Sequence, residues 1–175
     1  MRQALVSLAL LALAAPVAGQ LPRVEAIPPD NRVLTHREQD TVVRGRITER
    51  FEALLPDLMR RADIDMWIMV SREYNDDPVF RSMAPLTTYS SRRRTILVFH
   101  DRGGDQGVER ISVGRFNYDG LFEVYRTHND SQYVGLRRLV DERQPRRIGL
   151  NISNSWNHAD DLTHNEYTRL EEALG

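Results

Sequence analysis

The sequence contains no cysteine and, along its whole length, no lysine. Without cysteine there is no disulfide scaffold, thiol nucleophile, iron–sulfur cluster or cysteine-ligated zinc. Without lysine there is no Schiff-base chemistry and no P-loop lysine. All 24 basic residues are therefore arginines, set against 25 Asp and Glu; a GC-rich genome, in which Arg codons replace Lys codons, accounts for that bias. The net charge of −1 lacks the basic excess of a nucleic-acid-binding protein, so no nucleic-acid partner is expected. Long hydrophobic runs are also scarce. The one run in the chain, Ala4 to Ala15, is interrupted only by Ser7 and is short for a permanent membrane span.

That run follows Met1-Arg2-Gln3 and precedes Pro16-Val17-Ala18-Gly19, so a basic start, an apolar stretch and a small-residue exit compose a secretory signal peptide. Residues 1–19 are expected to be removed, leaving no membrane span and placing the protein in a periplasm or outside the cell. Residues 20–31, with Pro22, Pro28 and Pro29, read as an extended arm. A packed core must then supply the stability of residues 32–175, whose length suits one domain.

Thr35-His36-Arg37-Glu38 matches a capping box. Val43, Ile47, Phe51, Leu54, Leu55, Leu58 and Met59 follow at helical spacing and predict a long amphipathic helix to about Arg61, kinked or restarted at Pro56. Met66–Val70 and Thr95–Phe99 are short apolar runs expected to be strands buried on both faces. A glycine-rich turn from Asp101 to Gly107 leads into Val108–Val113, more polar and expected at an edge or half exposed. Ser131 is placed to cap a helix through Val134, Leu136, Leu139 and Val140, which Pro145 terminates. Ile148–Ile152 predicts a fourth strand, and Thr163-His164-Asn165-Glu166 a second capping box opening a helix with Tyr167, Leu170 and Leu174 on one face. Interleaved helices and strands define an α/β fold with a mixed sheet and flanking helices.

Chemistry-bearing clusters are few. His158, Asp160, Asp161 and His164 carry donors suited to zinc, manganese or iron, but the spacing matches no helical histidine pair, and acidic residues ahead of a helix are favoured by its dipole alone. A mononuclear hydrolytic site there is the weakest reading, so no metal ligand and no catalytic residue is assigned. Arg92-Arg93-Arg94 could hold a phosphate or carboxylate, or simply form a solvated loop edge. The stretch from Ser71 leaves the carboxyl end of a buried strand, where α/β folds place ligands, and is too long for a plain connector. Arg72, Tyr74 and Asn75 are accordingly the candidate substrate-facing groups. Ser112, Ser131 and Ser153 lie in no nucleophile elbow, and Gly103–Gly107 opens no helix, which excludes a nucleotide loop. Asn129-Asp130-Ser131 and Asn151-Ile152-Ser153 match the glycosylation acceptor pattern.

Three stretches, taken in order, carry a resemblance: Asp65 to Pro78, Arg93 to Asp101, and Ile148 to Ser153. With the preceding long helix they resemble the N-terminal domain of exported Xaa-Pro aminopeptidases of the creatinase/prolidase ("pita-bread") metallopeptidase family. That resemblance implies a non-catalytic domain that helps form an oligomer with a second subunit and shapes access to an active site. It further implies a partner C-terminal pita-bread domain carrying two divalent metal ions, manganese, cobalt or zinc, on two Asp, one His and two Glu. The chain stops as its last helix finishes, before any such ligand set. The resemblance thus implies a truncated chain, inactive by itself and with no cofactor of its own. The alternative is a free-standing exported α/β binding or interaction module.

Overall fold

The computed structural model describes residues 32–127 and 131–175. The chain divides after Val33, and the compact unit is Leu34–Gly175. The signal peptide, the extended arm and Asn129 lie outside the described residues.

Helix α1, His36–Glu49, opens on the expected capping box: the Thr35 side chain accepts from the Glu38 amide while Glu38 reaches back to the Thr35 amide at 2.8 Å. The long helix then widens into a π-helical turn, Arg50–Leu54, before resuming as α2, Leu55–Arg61. Pro56 explains the break. It has no N–H to donate, and its ring would collide with the carbonyl four residues back. The wider turn lets the Leu55 amide bond the Arg50 carbonyl instead.

The sheet has five strands in the order β4-β3-β2-β1-β5: β1 Met66–Arg72, β2 Arg94–Asp101, β3 Val108–Val113, β4 Glu123–Tyr125 and β5 Ile148–Leu150. β1–β2 and β2–β3 are antiparallel, and β1–β5 and β3–β4 are parallel. The sheet is therefore mixed, as the interleaved pattern requires. α3, Pro78–Met83, lies in the stretch between β1 and β2, capped by Asp77 with Pro at its start. α4, Gln132–Arg143, leads to β5, and α5, His164–Leu174, closes the unit.

Because strand side chains alternate, the two central strands feed both faces of the sheet. On one face Met69, Leu97 and Phe99 pack with Ile47, Phe51, Leu55 and Met59 of the long helix and with Phe80 of α3. On the other, Ile68, Val70, Ile96 and Val98 meet Tyr133, Leu136 and Leu139 of α4 and Leu170 of α5. The result is helix, sheet and helix in three layers, with β1 and β2 buried on both sides as their uniformly apolar sequence predicts.

Three details differ from the sequence pattern. β3 is half exposed, as one of the two expectations has it, its first three residues being only partly buried, but it is not an edge strand, because the three-residue β4 pairs beyond it; so short a strand leaves no periodic signal. β5 stops at Leu150 rather than Ile152. In α4 the buried positions include Tyr133 and Gly135, whereas Val134 is half exposed. Gly135 is required there: a Cβ would stand 2.4 Å from Thr127 Cγ2, so the helix approaches the strand-to-helix connection closer than any other residue permits.

Candidate functional site

The pairing directions bring the carboxyl ends of β1, β3 and β4 to one edge of the sheet, beside the first residue of β2. A cleft of about 890 Å³ opens there, and six arginines line it: Arg72, Arg92, Arg93, Arg94, Arg115 and Arg126. This is the sheet end at which open α/β folds place ligands, and the volume is that of a small-molecule site.

Each arginine arrives by a separate device. Arg72 ends β1. Arg92 and Arg93 precede β2, and Arg93 adopts φ 47°, which turns the chain sharply into the strand. The Arg93 carbonyl accepts from the Glu73 amide at 3.2 Å, tying the β1 exit to the β2 entry. Arg115 follows Gly114 at the end of β3, and Arg126 follows β4. Gln132, the first residue of α4, donates from its side chain to the Val113 carbonyl at 2.8 Å, so the amino end of α4 is pinned to the same edge. Beneath the cleft, the hydroxyls of Thr95 and Tyr118 are 3.1 Å apart, and burial pushes the Tyr118 phenol up.

One carboxylate underlies this basic surface. Glu166 is 1% exposed and accepts hydrogen bonds from Arg72, from Tyr133 and from Arg94, whose Nε lies 2.8 Å away. The Arg94 guanidinium also stacks 4.9 Å above the Tyr133 ring. Burial alone would raise the Glu166 carboxyl, but the hydrogen bonds from Tyr133, Arg94 and Arg72 outweigh it and hold the group below its ordinary range. Burial, with the Glu166 carboxylate alongside, pushes the Tyr133 phenol strongly up, so it remains a donor.

Glu166 thus departs from its expected role. Thr163 caps α5 by accepting from the Glu166 amide at 3.4 Å, but the Glu166 side chain turns inward to the two arginines instead of back to the cap. Sequence reasoning missed it because the capping-box pattern explained the residue too well. The Arg92–Arg94 triplet is likewise split: Arg94 is largely buried and paired, while Arg92 and Arg93 are exposed.

Of the three candidate substrate-facing residues, Arg72 lines the cleft. Tyr74, at φ 67° and 98% exposed, and Asn75 form a tight turn closed by reciprocal Arg72–Asn75 backbone hydrogen bonds, outside the cleft lining. The histidine–aspartate cluster does not converge: among the described residues no group of three or more His, Asp or Glu is placed to hold a metal ion. His158 instead packs edge-on to Trp156, and Asp160 accepts from the Ser153 amide at 3.2 Å. These donors do not fit a metal centre, and no step of metal chemistry follows from them. Asn151 is no open acceptor for a glycan. It is buried, with its side chain bonded to Trp67 Nε1 at 2.6 Å and to Asp77.

No family model and no curated protein matches the chain. Among solved structures, it is similar to an Xaa-Pro dipeptidase from Bacillus anthracis, with 16% identity and a TM-score of 0.42 over 77% of this chain. The likeness is distant, and the chain spans 31% of that protein's length.

Proposed function

We propose that this chain is the non-catalytic N-terminal domain of an Xaa-Pro aminopeptidase-like metallopeptidase, exported to a periplasm or beyond the cell. One observation supports this reading above the others. The three stretches that carry the sequence resemblance supply three neighbouring strands of one sheet, β2, β1 and the edge strand β5, so they are parts of a single architectural unit rather than scattered coincidences. In this reading a C-terminal pita-bread domain brings the two divalent metal ions, and the domain described here contributes to assembly with a second subunit and to access. Arg72 faces incoming substrate from the carboxyl end of β1, with Tyr74 and Asn75 on the adjoining turn.

The reading is tested by the coding DNA beyond codon 175, together with an assay of the purified chain. The expected results are a continuing frame that encodes two Asp, one His and two Glu as ligands, and no release of an N-terminal residue from an Xaa-Pro peptide by the chain alone with Mn²⁺. A stop codon followed by unrelated sequence, or cleavage by the chain alone, overturns it. A stop codon would favour the alternative, a free-standing binding module, which the arginine-lined cleft also supports.

A further inference from the structure

The cleft holds far more positive charge than its architecture consumes. Glu166 satisfies Arg72 and Arg94, and both have a structural use at the sheet edge. Arg92, Arg115 and Arg126 make no ion pair or side-chain hydrogen bond among the described residues, and all three are exposed along the same cleft. Arginines at a protein surface are ordinarily interspersed with acids, and in this chain they usually are: Arg44 with Asp40 and Asp119, Arg60 with Asp101, Arg143 with Glu109, and Arg146 with Asp65. The cleft is the exception. Its arginines come from four separate points of the chain, and among the described residues its lining contains no Asp or Glu.

We infer that this cleft binds a short chain of phosphates, free or as the tail of a nucleotide. The planar guanidinium fork matches phosphate oxygens in pairs, and several forks converging from different elements suit an anion that bears charge on successive centres. The amino end of α4, held at the cleft by Gln132, adds the positive end of a helix dipole to the arginines. A long polyanion is disfavoured. The whole chain carries a net charge of −1; with the six cleft arginines set apart, 18 arginines face 25 Asp and Glu, so the rest of the chain is acidic and only a ligand confined to the cleft gains from the local excess. This assignment is independent of the peptidase reading, since phosphate binding and peptide cleavage are measured separately.

The test is calorimetric titration of the full chain with sodium tripolyphosphate and, in parallel, adenosine triphosphate and citrate. Binding of tripolyphosphate that weakens as salt is raised is expected, with citrate at least tenfold weaker. Arg92→Gln, Arg115→Gln and Arg126→Gln should each weaken it several-fold, and the three together should abolish it. Arg61→Gln, on α2 and paired among the described residues with exposed Asp57, should change nothing. The three cleft residues have no described partner to lose, so unchanged melting temperatures will show that the variants fold. Tighter binding of adenosine triphosphate assigns the nucleotide-borne chain, tighter binding of tripolyphosphate the free one, and either supports the inference. No heat of binding, equal affinity for citrate, or wild-type affinity in the triple variant overturns it.

Discussion

Arg72 and Arg94 stand directly opposite one another across the antiparallel β1–β2 ladder. Two like charges in that position destabilise a sheet. Here both guanidiniums close on Glu166, 72 residues further along the chain from Arg94. A repulsive cross-strand pair becomes the socket into which α5 is fastened, and the same arrangement sets the floor of the arginine-lined cleft.

Replacing Glu166 with Gln should therefore cost about 3 kcal/mol of stability, because Arg94, largely buried, is left with no counter-charge. Urea denaturation measures this directly. Arg94→Gln should couple more strongly to the Glu166 variant in a double-mutant cycle than Arg72→Gln does, since the Arg72 side chain is 45% exposed and screened by water. A loss below about 1 kcal/mol for Glu166→Gln would reduce the cluster to an ordinary surface ion pair.

Acid should unfold the domain through the same residues. Hydrogen bonds from Arg143 to Glu109 and from Arg60 to Asp101 hold those carboxyls below their ordinary values, as the Glu166 cluster does for its own. In that range the unfolded chain binds more protons than the folded one, so the stabilisation is complete above the ordinary carboxyl values of 3.8 to 4.5 and is lost as pH falls through the folded ones. Asp77 opposes this: burial raises its carboxyl, and its contribution is lost as pH rises instead. The urea midpoint, followed from pH 6 to pH 3, should fall, and the fall should be shallower in Glu166→Gln. Identical slopes in the two proteins would remove Glu166 from the acid response.

Asn151 joins two layers of the fold by accepting from Trp67 and donating to the fully buried Asp77. Asn151→Leu should cost about 2 to 3 kcal/mol, the penalty for stranding a buried carboxylate and an indole N–H. Trp67 emission should shift in the folded variant. Unaltered emission together with unaltered stability would show that the bridge contributes nothing.

Gly135→Ala should destabilise the domain by about 1 to 3 kcal/mol, even though alanine is the better helix former, because its Cβ meets Thr127 Cγ2. In a Thr127→Ala background that methyl is gone, and the same substitution should become neutral or stabilising. Chemical denaturation of the four proteins decides it; stabilisation by Gly135→Ala alone would contradict the close approach.

Much of the architecture was legible because it rests on local rules. The Thr35 and Ser131 caps, the break near Pro56 and the buried runs of β1 and β2 are each visible within a window of a few residues. The cleft was only partly legible. Arg72 stood out from its position after a buried strand, but Arg115 and Arg126 become its neighbours only once β3 and β4 lie side by side, and β4 is three residues of unremarkable composition. Glu166 was hidden differently: its local pattern had a complete explanation, and only the folded chain shows that its side chain serves residues 72 and 94 instead.

The π turn at Arg50–Leu54 has a consequence for what this helix can tolerate. Its buried residues, Ile47, Phe51, Leu55 and Met59, are each separated by four positions. On a regular α-helix such a series swings about 40° per step and would drift away from the sheet. The widened turn takes up part of that rotation and keeps the row aimed at β1 and β2, while Arg60 still meets Asp101. Removing a single residue between Phe51 and Leu55 would rotate everything beyond it by about 100° and turn Leu55 and Met59 away from the sheet. Homologous chains and engineered variants can therefore vary side chains in this segment far more readily than they can vary its length.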